Sequence, residues 1–183
     1  MSNLDIKIIG GFLDQEQADW AWNHFINNTE WQQDTYNFGG RKVLAPRLTA
    51  LYGEEDYVYS GMKKTTKPLT KVLDRLLTKV QAETLIPYNS ILMNFYRSGR
   101  DSIGFHSDNE PELGENPVVG SISLGDSRIM TFKHNHTGEI VKVPLDNGDY
   151  LEMGSSVQPN WKHSIAKNNS SDARVSLTFR SLV

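Results

Sequence analysis

SILMNFYRSGRDSIGFHSD, residues 90–108, opens a run of short, alternating segments that sets the fold class. Leu92, Asn94 and Tyr96 alternate with Ile91, Met93 and Phe95. Period-2 alternation is the mark of a strand with two unlike faces. The closing segment repeats it: Arg174, Ser176, Thr178 and Arg180 fall on one face, and Val175, Leu177 and Phe179 on the other. Two strands therefore aim polar groups at one interior and pack apolar groups outward. Between them, turns are expected at Ser98-Gly99, Gly114, Gly125, Thr137-Gly138 and Asn147-Gly148.

Working back toward the N-terminus, the period changes. MSNLDIKIIGGFLDQEQ, residues 1–17, carries a short apolar run that reads as a first strand. Asp14 followed by Gln17 gives a capping box, and Ala18, Ala21, Trp22, Phe25 and Ile26 recur at helical spacing up to Asn27-Asn28. A second helix is expected to begin near Pro68, with Leu69, Val72, Leu73, Leu76, Leu77 and Val80 on its apolar face. Helices first and then many short strands predict an α+β, mainly β domain: a jelly-roll, or double-stranded β-helix, with the N-terminal helices packed on its outside.

His106 and Asp108 are spaced i, i+2, so an extended strand would point both at one metal while Ser107 points away. His163 would come from a distant segment. Two histidines and one carboxylate are the ligand set of a non-haem Fe(II) centre that keeps three adjacent positions open. His24 falls on the first helix, and His134 and His136 in a hairpin, where they read as surface or packing residues.

The stretches NFYRSGRDSIGFHSDNEPELG, SISLGDSR, PLDNGDYLEM, WKHSIAK and ARVSLTFR, in that order, together resemble the AlkB family of Fe(II)/2-oxoglutarate dioxygenases. A looser likeness lies in APRLTALYG and YVYSG. The resemblance implies that His106, Asp108 and His163 bind Fe(II). It also implies that Arg174 pairs with the distal carboxylate of 2-oxoglutarate, that Asn94 and Tyr96 hydrogen-bond this co-substrate, and that Arg180 lies near its metal-bound end. The implied reaction is oxidative demethylation of N-alkylated bases such as 1-methyladenine and 3-methylcytosine. O2 and 2-oxoglutarate would be consumed, and succinate, CO2 and formaldehyde released. By the same resemblance Tyr57, Tyr59 and Ser60 line the base pocket. Glu110, two residues after Asp108, is placed to accept a hydrogen bond from an exocyclic amino group, and YNFGGRKV, residues 36–43, reads as a hairpin turning at Gly39-Gly40 with Phe38 near its tip as a candidate wedge into the space a flipped base leaves. Many relatives carry asparagine at Ser176 and an acidic residue at Asn109, so substrate fit departs from the common pattern.

Composition agrees with one ordinary domain spanning residues 1–183. Helices and a substrate-recognition segment would occupy about 1–89, and the jelly-roll core about 90–183. The absence of cysteine excludes disulfides and thiolate metal sites. The N-terminal segment has neither a basic flank nor a cleavage site, and no apolar run approaches the roughly 20 residues that span a bilayer. A cytoplasmic monomer is expected, or a nuclear one in a eukaryote, without membrane contact.

A net charge of −3 argues against coating duplex nucleic acid through bulk positive charge. Lys63, Lys67, Lys71, Arg75 and Lys79 recur every four residues and predict a basic stripe if the second helix starts early. Arg41, Lys42, Arg47, Arg97 and Arg100 are candidates for gripping a strand at the mouth of the site. The partner would be DNA, single- or double-stranded, or RNA. Two other readings remain: a 2-oxoglutarate-dependent enzyme acting on a protein or small molecule, and a catalytically silent module that binds altered bases.

Overall fold

In the computed structural model, residues 3–53, 57–59, 62–64 and 66–183 are described, the side chains of 38, 57–59 and 62–64 excepted. The chain runs β1 (Ile6–Ile9), α1 (Gln15–Asn28), β2 (Thr35–Phe38), β3 (Arg41–Leu44), β4 (Leu48–Gly53), β5 (Tyr57–Tyr59), β6 (Met62–Lys64) and α2 (Lys71–Thr84). It continues with β7 (Ser90–Tyr96), β8 (Ile103–His106), β9 (Val119–Gly125), β10 (Arg128–His134), β11 (Ile140–Leu145), β12 (Tyr150–Met153), α3 (Val157–Asn160), β13 (Trp161–Ile165) and β14 (Arg174–Arg180). Six strands form one antiparallel sheet in the order β1-β12-β9-β14-β7-β4, and four form a second in the order β11-β10-β13-β8. The two sheets make the expected jelly-roll. β1 and β4, from the N-terminal half, complete the larger sheet.

Strand parity divides the core. Ile91, Met93, Val175, Leu177 and Phe179 leave the outer face of the large sheet and meet Ala18, Ala21 and Phe25 of α1 and Leu73, Leu77 and Val80 of α2. Each fully buried aliphatic side chain of this kind contributes about 1.5–3 kcal/mol. The inner face turns toward a second cluster, between the sheets, built around Phe132, Leu145, Leu151, Val157 and Trp161.

Both helix starts are capped. Asp14 accepts from the Gln17 N–H and the Gln17 side chain from the sequence-predicted box accepts from the Asp14 N–H. At α2 the cap is Thr70, whose Oγ1 accepts from the Leu73 N–H, so the helix starts at Lys71 and not near Pro68. The predicted basic stripe is broken for that reason. Lys63 lies in β6, Lys67 bridges to Tyr52 and pairs with Glu30, and Lys79 sits 5.0 Å from the Phe12 ring centroid. YNFGGRKV, residues 36–43, folds as a hairpin, with Phe38 paired to Arg41 and positive φ at Gly39 and Gly40, as a tight primed turn requires.

Among the described residues no helix is long and apolar enough to cross a membrane.

Candidate metal and co-substrate site

Between the two sheets, a cavity is lined by Leu92, Asn94 and Tyr96 from β7, Arg174, Ser176, Thr178 and Arg180 from β14, and His106, Asp108 and His163. The polar faces predicted for β7 and β14 converge here, and their register places Arg174 opposite Tyr96 and Ser176 opposite Asn94.

His106, Asp108 and His163 each offer a ligand atom, all within 4.8 Å of one another. They meet because β8 and β13 pair, with His106 directly across from His163. β8 ends at His106, and Asp108, expected on the same strand, lies beyond it. Its backbone N–H donates to Gln158 Oε1 at 2.9 Å, and its Oδ1 accepts from Arg180 Nη2 at 2.8 Å. Tertiary contacts, not strand alternation, aim this carboxylate.

Charge and protonation suit a cation. Burial pushes the Asp108 carboxyl up, but Arg180 and the two imidazoles outweigh it and hold it down at about 2. Burial lowers His106 and, beside that imidazole, takes His163 down to about 3. The trio therefore presents one carboxylate and two neutral imidazoles at neutral pH, the forms that bind metal. His106 Nδ1 lies 2.9 Å from the Gly104 carbonyl, which fixes Nδ1 as the protonated nitrogen and turns the Nε2 lone pair inward. His163 Nδ1 is buried with no hydrogen-bond partner. An N2O donor set with an orphaned buried imidazole nitrogen fits Fe(II).

At the far end of the cavity, Arg174 is 1% exposed. Its Nη2 donates to Ser123 Oγ at 2.8 Å, while Nε and Nη1 have no hydrogen-bond partner. Its guanidinium lies 5.4 Å from the Tyr96 ring centroid. A buried cation with unused donors is costly unless an anion meets it, and a dicarboxylate anchored at both ends of this cavity fits.

Outside His106 lies a cleft of about 330 Å³ whose walls include Tyr36, Arg47, Phe105, Ser107 and Glu110. Glu110 is thus brought beside the metal trio. Ser60 lies outside the described residues, as do the side chains of Tyr57, Tyr59 and Phe38. Two predicted strand-gripping arginines are engaged internally. Arg97 forms a two-bond fork with Asp101, and buried Arg47 donates to Asn94 Oδ1 at 2.9 Å and to Tyr36 Oη at 3.2 Å. The i, i+4 spacing of Arg97 and Asp101 was a readable signal. Sequence reading missed Gln158, Ser123 and the Arg47–Asn94 bond, for which no local pattern exists.

A family profile described as the 2OG-Fe(II) oxygenase superfamily matches residues 5–180. The chain belongs to that superfamily, in its AlkB family. It is 37% identical to alpha-ketoglutarate-dependent dioxygenase alkB homolog 3 of Rattus norvegicus, over 94% of this chain and 62% of that protein. To the Homo sapiens protein of the same name it is 36% identical, over 94% of this chain and 64% of the relative. Mus musculus DNA oxidative demethylase ALKBH2 is 34% identical over 79% of this chain and 65% of its own length. The chain thus spans less than two thirds of these relatives. A solved structure described as "The structure of OsALKBH1" superposes with a TM-score of 0.68, covering 99% of this chain and 100% of that one at 18% identity, which establishes the jelly-roll as a shared fold.

Proposed function

We propose that this AlkB-family chain is an Fe(II)- and 2-oxoglutarate-dependent demethylase of N-alkylated bases in nucleic acid. The observation that carries the reading is the pairing, in one cavity, of the His106-Asp108-His163 trio with buried Arg174, whose Nε and Nη1 lack partners. The names of its relatives, which include DNA oxidative demethylase, support the substrate class.

When bound, the iron would supply the oxidising power that converts 2-oxoglutarate and O2 to succinate and CO2 and hydroxylates the N-methyl carbon. The resulting hemiaminal breaks its C–N bond and releases formaldehyde and the unmodified base. His106, Asp108 and His163 would hold the metal. Arg180 keeps the Asp108 carboxylate ionised and turned inward. Arg174 would grip the distal carboxylate of 2-oxoglutarate, with Asn94 and Tyr96 along its length and Arg47 orienting the Asn94 amide. Leu92, Met130, Met153 and Ile165 give the cavity apolar walls that exclude water. The cleft beside His106 would receive the flipped base, with Tyr57, Tyr59 and Ser60 as further walls, Glu110 facing its amino group and Phe38 as the wedge. The whole of residues 1–183 would act as one catalytic domain, a monomer working in the cytoplasm or, in a eukaryote, the nucleus.

Mass spectrometry of a single-stranded DNA oligonucleotide bearing one 1-methyladenine, incubated with protein, Fe(II), 2-oxoglutarate, ascorbate and air, tests this. Loss of one methylene mass with the wild type and none with His106→Ala is the expected result. Conversion of 2-oxoglutarate to succinate with no change in any methylated DNA or RNA would move the target to a protein or small molecule.

A further inference from the structure

Acidic residues outnumber basic ones in this chain, 22 to 19, yet the four strands of the smaller sheet contain no aspartate or glutamate. They do contain Lys133, Lys142 and Lys162, all exposed. Register brings the three together on the outer face. Lys133 on β10 is directly across from Lys162 on β13, and Lys142 on β11 is across from Thr131, one same-face step from Lys133. None of the three makes an ion pair among the described residues. Like charges directly opposite across a sheet destabilise it, so this face carries an electrostatic cost that an anionic partner would relieve.

The row has a direction. In the order β11-β10-β13-β8 it ends at β8, where Phe105 is 47% exposed and lines the cleft beside His106. Three strand spacings of roughly 4.8 Å make about 14 Å, the rise of about four nucleotides. A cationic track with an aromatic platform at one end is the combination that holds single-stranded nucleic acid.

We infer that the outer face of the smaller sheet is the path of the substrate's sugar-phosphate backbone, with Lys142, Lys133 and Lys162 meeting phosphates and Phe105 stacking a base next to the one delivered to the site. The inference rests on the nucleic-acid reading of that site. Lys142, Lys133 and Lys162 set affinity without touching the reacting base, while Phe105 shares the cleft beside His106 with Tyr36 of β2.

Fluorescence anisotropy with a labelled, unmodified single-stranded oligothymidylate, recorded against salt for the wild type and for K133Q/K142Q/K162Q, tests it. Three lost phosphate contacts lower the slope of log K on log salt by about 2, so the wild type's advantage shrinks roughly 20-fold between 50 and 200 mM salt. Each single substitution lowers the slope by about 0.7. Phe105→Ala weakens binding roughly 5- to 150-fold with no change in slope. Melting temperature serves as the folding control, and is expected to hold or rise because the Lys133–Lys162 repulsion is relieved. An unchanged slope and affinity in the folded triple variant overturns the inference, and the demethylase reading stands if methylated oligonucleotide is still repaired. A lowered slope alongside a wild type that demethylates nothing supports the surface and overturns the site chemistry instead.

Discussion

Arg174→Met is the sharpest perturbation of the co-substrate reading. The side chain is buried, and Nε and Nη1 have no partner within the protein. A carboxylate bound there would take two charge-assisted hydrogen bonds at about 1.5–3 kcal/mol each. Losing both costs about 3–6 kcal/mol, or roughly 10²- to 10⁴-fold in 2-oxoglutarate affinity. Arg174→Lys keeps the charge but loses the planar fork, so one bond's worth, roughly 10- to 100-fold, is expected. Burial lowers the Arg174 pKa, a sign that the charged form is disfavoured where no anion meets it. Replacing it with methionine should therefore leave the melting temperature of the co-substrate-free protein unchanged or higher. Isothermal titration calorimetry of 2-oxoglutarate into the Mn(II)-loaded protein without oxygen reads the first quantity, and thermal denaturation the second. A dissociation constant within threefold of wild type would refute the anchoring role. Weak binding accompanied by a large drop in melting temperature would show that Arg174 is a structural residue instead.

Asp108→Ala removes the carboxylate that Arg180 meets at 2.8 Å where both side chains are 2% exposed, and should cost about 3–5 kcal/mol in chemical denaturation besides abolishing metal binding. Gln158→Leu removes the Oε1 that accepts from the Asp108 N–H at 2.9 Å and should weaken metal affinity roughly 10- to 100-fold, measured by metal titration, with the melting temperature tracked in parallel. At alkaline pH the buried Tyr88 hydroxyl is decisive. Burial pushes it up to about 12, so the unfolded chain loses that proton first as pH climbs past about 10. Stability is then complete below pH 10 and falls by up to about 2–3 kcal/mol as pH rises to 12. Tyr88→Phe should flatten that decline in denaturation curves taken across the window, leaving the part due to Tyr150, which burial also raises.

What could be read from the sequence followed from how locally each feature is encoded. β7 and β14 show their two faces in strict alternation because one packs on helices and the other lines a cavity, and the Asp14–Gln17 box marks a helix start within four residues. The metal trio was legible because few residue types can bind iron. Asp108 was placed by the wrong cause: its support comes from Gln158 and Arg180, 50 and 72 positions away. The Lys63-to-Lys79 periodicity misled because a four-residue repeat carries no information on where a helix begins; Thr70 decides that. Lys133, Lys142 and Lys162 show the opposite failure. Nothing links them along the chain, and only the pairing of β10 with β11 and β13 makes them neighbours. A helix places its charges by sequence spacing, whereas a sheet places them by register, so the chemistry of a β enzyme's centre can be read from residue types while the surface that feeds it emerges only once its strands are paired.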